Sequence, residues 1–171
     1  MGRYRPPAPK SSPYITQQGY QALQEEMKAL WKKRDEVTLA VTAAAAEGDR
    51  SENAEYIYRK KQLREIDRRV GYLQRRLPVL KVVEQQPTNI DQVFFGAQVI
   101  LDDGSEETTY RIVGADEFDP KKNWISMDSP MAKALLGKSL DDEITVQTPS
   151  GEKTVCILDI KYKQTWNCLL Y

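Results

Sequence analysis

The chain has 171 residues, of which 40% are hydrophobic and 29% charged, and its formal net charge is zero. It contains no histidine, which excludes histidine-based catalytic triads and histidine metal ligands. Its two cysteines, Cys156 and Cys168, form no CxxC pair, so a zinc ribbon is excluded and a reducing cytoplasm is the expected location. No stretch approaches the ~18 unbroken apolar residues of a membrane-spanning helix, so we expect no membrane partner.

The two halves of the chain carry opposite charge. Residues 1–84 contain 17 Lys and Arg against 11 Asp and Glu, whereas residues 85–171 contain 8 against 14. This polarity suggests two modules with different partners. The basic half is the candidate for contact with nucleic acid, since phosphates attract Lys and Arg whatever the base sequence.

The basic half begins with a Pro-rich segment, residues 1–13, which we predict to be a disordered tail. Two runs then follow whose members recur at alternating steps of three and four, the spacing of a coiled-coil seam. The first run, with Thr16 as its expected N-cap, is Tyr20, Leu23, Met27, Leu30, Arg34, Val37, Val41 and Ala44. The second is Tyr56, Arg59, Leu63, Ile66, Val70, Leu73, Leu77 and Leu80.

A short turn around Arg50 joins the two runs, so residues 14–84 are predicted to form an antiparallel coiled-coil hairpin. Pairing residue i with residue 100 − i places every seam position of one arm opposite a seam position of the other. This intramolecular register favours a monomer over a coiled-coil dimer. Pro78 removes a helix hydrogen bond, so we expect it to kink or end the second helix.

The acidic half changes to short β-rich runs separated by Gly, Pro and Asp, which predicts a compact α+β domain. The expected strands are Gln98–Leu101, Thr108–Val113, Trp124–Met127, Glu143–Gln147 and Thr154–Ile160. One short helix is expected over Met131–Leu136, closed by Gly137.

Two carboxylates, Asp49 and Glu52, flank the turn of the predicted hairpin. They have a structural interpretation: Asp49 caps the second helix with Glu52 three residues on, or Ser51 is the cap and Glu52 and Glu55 simply favour the positive helix end. They also have a functional one. Mg²⁺ is commonly held by one or two protein carboxylates together with waters and phosphates, so this pair could complete a metal site whose other ligands lie on a partner.

A stripe of cations at helical spacing, Lys60, Arg64 and Arg68, also has two interpretations. It is either a solvated helix face or a track for RNA phosphates. No aromatic ladder is expected beside it, so stacking on bases is not indicated.

The turn Asp128-Ser129-Pro130 precedes the predicted short helix. Its residue types are explained if Asp128 or Ser129 caps that helix and Pro130 occupies the first helical position.

Four separated motifs, in order along the chain, resemble the bacterial Gre transcript-cleavage factors. They are Gly48-Asp49-Arg50-Ser51-Glu52-Asn53-Ala54-Glu55-Tyr56, Leu63-Arg64-Glu65-Ile66-Asp67-Arg68-Arg69, Val93-Phe94-Phe95-Gly96-Ala97 and Asp128-Ser129-Pro130-Met131-Ala132. Arg50-Ser51 and Phe94-Phe95 resemble the GreB branch. The resemblance covers residues 14–162 and leaves the head and the tail, residues 163–171, unassigned.

The resemblance implies a coiled coil that enters the secondary channel of RNA polymerase and an FKBP-like domain, residues 85–162, that docks on its rim. The polymerase would then cut backtracked nascent RNA in its own active site, so the factor would not itself be an enzyme. Asp49 and Glu52 would help to hold a Mg²⁺ ion shared with the polymerase, with no metal bound tightly by the factor alone. Asp128, Ser129 and Pro130 would contact the polymerase, and Lys60, Arg64 and Arg68 would steer the RNA 3′ end.

Two other functions remain open from the sequence. One is a regulator of initiation that binds the same channel without cleavage activity. The other is a prolyl isomerase, although Tyr110, Phe118 and Trp124 do not form an evident proline pocket.

Overall fold

The computed structural model describes residues 10–46, 53–84, 87–148 and 151–162. These residues form two compact units: a hairpin unit within Tyr20–Leu80, and a globular unit that combines the residues up to Gly19 with those from Lys81 onward. An N-terminal helical hairpin is thus followed by a C-terminal α+β domain, as predicted. Within the described part of the chain, no helix is both long and apolar enough to cross a membrane.

The hairpin consists of helix α1, Gln17–Ala46, and helix α2, Ala54–Arg76. All sixteen predicted seam positions are buried or half-buried. The centre of the hairpin core is a cluster of Val37, Ile66 and Val70, with Leu30, Val41 and Leu63 packed against it. The heptad prediction is therefore confirmed, because residues from both runs meet in one apolar layer.

Two ion pairs cross between the helices of the hairpin. Nε of Arg34 lies 2.6 Å from Oδ1 of Asp67, and Arg69 binds both carboxylate oxygens of Glu26 at 2.7 and 2.8 Å. Arg34 is the polar member of the first seam, and its pairing with Asp67 explains how a charge is accommodated at a half-buried seam position.

The second helix ends before Pro78, as predicted. Helix α2 stops at Arg76, and Leu77–Val79 form one 3₁₀ turn with the proline in its first positions. Proline is tolerated there because the first residues of a helical turn donate no backbone hydrogen bond within it.

The globular unit contains a mixed five-stranded sheet. Its strands are β3, Ala97–Asp102; β4, Glu107–Val113; β5, Trp124–Ser126; β6, Glu143–Thr148; and β7, Gly151–Tyr162. They lie in the order β5-β4-β3-β7-β6, with β4 and β5 parallel and the other neighbours antiparallel. All five strands and the helix α3, Pro130–Leu135, were predicted from the sequence, with ends that differ by up to three residues.

One face of this sheet carries the core of the globular unit. Burial alternates along β3, where Ala97, Val99 and Leu101 point inward. Ala132 and Leu135 of α3 belong to the same apolar cluster and are fully buried. The short helix is therefore held to the sheet by its apolar side, which fixes the turn that precedes it.

Two further strands of three residues each were not predicted. Strand β1, Tyr14–Thr16, pairs in parallel with β2, Lys81–Val83, within the globular unit. The expected N-cap of α1 is confirmed, because Oγ1 of Thr16 accepts a hydrogen bond from the Gly19 amide at 3.0 Å. The carboxylate of Glu117 accepts from the amides of Thr16 and Gly114 and from the Thr16 hydroxyl.

Candidate functional site

At the end of the hairpin, the side chain of Asn53 forms hydrogen bonds with both helices. Its Oδ1 accepts a hydrogen bond from the amide of Tyr56 at 3.0 Å, which makes Asn53 the N-cap of α2. Its Nδ2 donates to the carbonyl oxygen of Ala44 at 2.9 Å. Ala44 lies in the last turn of α1, where carbonyl groups have no partner within the helix. One amide group therefore serves the end of one helix and the start of the other.

Asp49 and Glu52, predicted to act at this end of the hairpin, lie outside the described residues. One part of the structural interpretation is nevertheless wrong. It required Asp49 or Ser51 to cap the second helix, whereas Asn53 holds that position and the helix begins at Ala54. The other part, that acids favour the positive end of this helix, agrees with Glu55 in its first turn and stays a prediction for Glu52.

The three cations predicted to contact RNA, Lys60, Arg64 and Arg68, all lie on exposed positions of α2. Among the described residues, Arg64 and Arg68 make no hydrogen bond, ion pair or ring contact. Lys60 differs, because its ammonium group lies 5.3 Å from the ring centre of Tyr56 and 3.4 Å from the Tyr56 hydroxyl. The stripe therefore carries two guanidinium groups that the described structure leaves available and one partly engaged lysine.

Three cations of the hairpin outside the predicted stripe each lie over one aromatic ring. Arg59 lies over Tyr58 at 5.8 Å, Arg69 over Tyr72 at 5.3 Å and Arg34 over Trp31 at 5.7 Å. Such cation–π contacts contribute about 0.5–1 kcal/mol at exposed sites. For Arg69 with Tyr72 and for Arg34 with Trp31, the sequence signal was a spacing of three positions, which places both side chains on the same side of a helix.

A groove of about 390 Å³ lies on the hairpin surface beside the predicted stripe. Lys33 of α1 and Lys61 and Arg69 of α2 contribute its positive charge, while Tyr58 is an exposed ring at its edge. Glu65 is the acidic member of this lining, and Arg69 is held by Glu26. The cations of the hairpin thus extend beyond the three predicted positions and come from both helices.

In the globular unit, the predicted turn has the local structure that its residue types suggest. Oγ of Ser129 accepts from the amide of Ala132 at 3.2 Å and caps α3, and Pro130 occupies the first helical turn. Asp128 has another role. Its Oδ2 accepts the backbone amide of Ser12 at 2.8 Å, and the Ser12 hydroxyl lies 3.0 Å from the sulfur of Met127.

The contact between Asp128 and Ser12 could not be found from the sequence, because the two residues are 116 positions apart and neither belongs to a periodic element. It ties the start of the described chain to the turn before α3. Any contact of Asp128 with a partner must therefore be made while its carboxylate accepts the hydrogen bond from Ser12.

Comparison with known proteins identifies the family. A family model described as transcription elongation factor, N-terminal, matches residues 13–82, and one described as transcription elongation factor, GreA/GreB, C-term, matches residues 86–162. The chain belongs to the GreA/GreB family of transcription elongation factors. Together the two models cover both the hairpin and the sheet of this Gre factor.

Two relatives in sequence agree with this assignment. The chain is 59% identical over 154 residues to a transcription elongation factor GreB of Yersinia pestis, an alignment that covers 89% of this chain and 90% of that protein. It is also 59% identical over 155 residues to the GreB factor of Pasteurella multocida, covering 90% of this chain and 98% of the relative. A solved structure of GreA factor homolog 1 from Thermus thermophilus is similar at 23% identity and a TM-score of 0.41, covering 86% of this chain and 97% of that one.

The two carboxylates predicted to share a Mg²⁺ ion, Asp49 and Glu52, lie outside the described residues. Within residues 10–46, 53–84, 87–148 and 151–162, no three side chains of the metal-ligating types come together. Two oxygen donors alone are a typical contribution of a protein to a Mg²⁺ site that is completed by other ligands.

Proposed function

We propose that this chain is a GreB-type transcript-cleavage factor. It binds RNA polymerase through the secondary channel and stimulates the polymerase's own endonucleolytic cleavage of backtracked nascent RNA, which rescues arrested complexes. The reaction takes place in the polymerase active site, so the factor supplies side chains without being an enzyme. That partner places the protein in the cytoplasm.

The observation that carries this proposal is the match of both Gre family models, which together span residues 13–82 and 86–162. The geometry at the end of the hairpin supports it. Because Asn53 caps α2, neither Asp49 nor Ser51 is needed as the N-cap of that helix. Two acids in the segment that joins two long helices suit delivery of ligands to a site on another molecule.

In the proposed mechanism, Asp49 and Glu52 would hold a Mg²⁺ ion together with ligands of the polymerase. When bound, the ion would supply stabilisation of negative charge on the RNA phosphate. Asp49 would be the main ligand, and Glu52 would share in binding or accept a proton from the attacking water at its carboxylate oxygen. Because binding of the factor holds these groups in place, the free energy of binding offsets part of the entropy lost when the reacting groups are brought together.

The remaining predicted residues assist binding in this proposal. Lys60, Arg64 and Arg68 attract the phosphates of the extruded RNA 3′ end, and the exposed guanidinium groups of Arg64 and Arg68 support this. Asp128, Ser129 and Pro130 contact the polymerase rim, where the turn is pre-shaped by the Ser129 cap and the Ser12 contact. The factor acts as a monomer.

The test is an RNA cleavage assay on stalled, backtracked polymerase. The wild-type protein should shorten the RNA, and Asp49→Ala or Glu52→Ala should lower the stimulated rate about 100-fold or more, because several kcal/mol of charge stabilisation is lost. Binding to polymerase, measured by competition with the wild-type factor, should persist in both variants. Asp35→Ala is the matched control, since it removes an exposed acid of α1 that has no contact within the described residues.

Normal cleavage by the double variant Asp49→Ala/Glu52→Ala would contradict the assignment of the acids. Binding to the polymerase without any stimulated cleavage by the wild-type protein would instead favour a channel-binding regulator of initiation.

A further inference from the structure

The side chain of Asn53 does more than an N-cap requires. Capping needs only an oxygen that accepts a hydrogen bond from the first turn, and Ser, Thr and Asp provide one as well as Asn does. In this structure the amide nitrogen of the same side chain donates to the carbonyl of Ala44, on the other helix of the hairpin. Among Ser, Thr, Asp and Asn, only Asn carries its acceptor and its donor on two separate atoms of one planar group, so that the two can face different helices.

The orientation of the amide group is determined by its two partners. Oδ1 faces the Tyr56 amide at 3.0 Å and Nδ2 faces the Ala44 carbonyl at 2.9 Å. Turning the group over would place two donors against each other on one side and two acceptors on the other. The backbone of Asn53 is also held, because its carbonyl accepts the amide of Ile57 at 3.1 Å as the first bond of α2.

The position of this residue in the sequence gives the cross-helix bond its importance. Asn53 directly follows Glu52, and the planar peptide unit fixes consecutive Cα atoms at about 3.8 Å. The residues that connect Ala44 to Asn53 include both Asp49 and Glu52. The bond from Nδ2 to Ala44 therefore holds together the two ends of the segment that contains the acids.

We propose that Asn53 is a positioning residue for transcript cleavage, which holds the two ends of the acid-bearing segment at a fixed separation through its bond to Ala44. This inference rests on the proposed function, because it concerns the placement of the same two acids. Asn53 touches neither RNA nor metal in this role. It acts through the backbone by limiting where Asp49 and Glu52 can place their carboxylates.

The experiment uses two variants of the full-length chain that keep the cap and lose the cross-helix donor. Asn53→Ser retains a neutral oxygen for the Tyr56 amide, and Asn53→Asp retains an oxygen on a side chain of nearly the same shape. Neither can donate to the Ala44 carbonyl at the present geometry. The neutral serine variant also separates loss of the donor from the added charge of the aspartate variant.

The measurement is the rate of stimulated cleavage at saturating factor, across a series of Mg²⁺ concentrations. We expect both variants to lower the maximal rate about tenfold to 100-fold and to raise the Mg²⁺ concentration needed for half-maximal rate, as found when groups that orient metal ligands are removed. Polymerase affinity, measured by competition, should stay within about twofold, because the cap and both helices remain.

Val37→Ala is the matched control for loss of hairpin stability. Val37 is 4% exposed and belongs to the core cluster of the hairpin. Asn53 is not a member of that cluster. This variant should lower the thermal midpoint of the hairpin at least as much as Asn53→Ser does, while leaving the Mg²⁺ dependence of cleavage unchanged.

The outcomes separate the inference from the function on which it rests. If the wild-type protein stimulates cleavage and both Asn53 variants match it at every Mg²⁺ concentration, the positioning role is overturned and the proposed function stands. A shift of the Mg²⁺ dependence by Val37→Ala equal to that of Asn53→Ser would also overturn it, because general loosening would then be the cause. Absence of stimulation by the wild-type protein would overturn both.

Discussion

The two units of this chain are stabilised in different ways. In the globular unit, a continuous apolar cluster connects four strands with α3, and Val93, Val99, Ile112, Leu135 and Ile157 in it are fully buried. In the hairpin unit, Val37, Ile66 and Val70 of the core cluster each keep a small exposed fraction, and Leu73 of α2 is fully buried.

The hairpin compensates with polar contacts that cross between its helices. Arg34 pairs with Asp67, Arg69 pairs with Glu26, and Asn53 bonds to Ala44. A two-helix layer cannot enclose side chains on all sides, so its apolar seam is supported by groups that remain partly in water. The comparison teaches that the proposed chemistry is carried by the unit with the thinner core, whereas most of the apolar burial lies in the other unit.

The largest expected effect is a loss of stability in the globular unit alone. Leu135→Ala removes a fully buried side chain from the cluster beneath the sheet and should lower the free energy of unfolding of this unit by about 2–5 kcal/mol. Hydrogen exchange followed by mass spectrometry should show faster exchange in β3, β4 and β7 and unchanged exchange in α1 and α2.

The control for this prediction is Leu140→Ala, which alters a side chain that is 47% exposed and should change stability by less than about 0.5 kcal/mol. Equal acceleration of exchange in the hairpin helices by Leu135→Ala would mean that the two units unfold together.

A smaller effect is expected on polymerase binding when the charge of Asp128 is removed. Asp128→Ala should weaken binding about tenfold, since a hydrogen bond to a charged group contributes about 1.5–3 kcal/mol. Asp128→Asn keeps an oxygen that can accept the Ser12 amide but removes the charge. Competition against the wild-type factor measures both.

The two Asp128 variants separate the internal contact from the contact with the partner. If the asparagine variant binds as the alanine variant does, the charge itself acts on the polymerase. Wild-type affinity of the asparagine variant would mean that Asp128 serves only to hold Ser12. Ser12→Ala is the control, because it removes the hydroxyl near Met127 and keeps the backbone donor.

The cross-helix ion pairs should contribute less than the apolar seam. A double-mutant cycle with Glu26→Gln and Arg69→Gln should give a coupling energy of about 0.2–1 kcal/mol in the hairpin, because both side chains are more than a third exposed. Urea unfolding followed by helical circular dichroism measures the cycle. Raising the ionic strength from 0.1 to about 1 M should reduce the coupling, since the Debye length falls from about 10 to about 3 Å.

A coupling energy that does not change with salt would indicate that the bidentate geometry of Arg69, rather than charge, holds the two helices together.

Much of the fold could be predicted because it follows from periodicity. Steps of three and four predict helices with one apolar side, and all sixteen seam positions from Tyr20 to Leu80 are buried or half-buried. The β-rich run Gln98–Leu101, followed by Asp103-Gly104, likewise predicted a strand. The parallel pair of β1 and β2 was missed, because three residues are too few to show a period and their partners are 67 positions apart.

The residue that caps the second helix could not be predicted from local N-cap preferences. Asp49, Ser51 and Asn53 are all good N-cap residues, and propensity does not choose among them. The choice falls on Asn53 because its amide also reaches Ala44 across the hairpin, which is a tertiary contact. Glu117 was missed for the same reason, because its partner Thr16 is 101 positions away.

The smallest expected effect concerns an ion pair of the globular unit and its dependence on pH. Lys153 of β7 bonds to Asp103 in the turn between β3 and β4, and the amides of Glu106 and Ser105 also donate to that carboxylate. Together these donors, the lysine foremost, lower the pKa of Asp103 from 3.8 to about 2. Its contribution to stability is therefore fully present above about pH 4 and is lost as the pH falls toward 2.

Lys153→Gln tests this contribution because it removes the largest cause of the lowered pKa and leaves both backbone donors in place. Between pH 4 and pH 2, the urea midpoint of the globular unit should fall less steeply in this variant than in the wild type, while Lys133→Gln, in an exposed residue of α3, should follow the wild type. The hairpin midpoint should follow the same pH course in all three proteins. Parallel curves for wild type and Lys153→Gln would assign the low pKa of Asp103 to the turn amides, so that the globular unit would gain nothing from this surface ion pair.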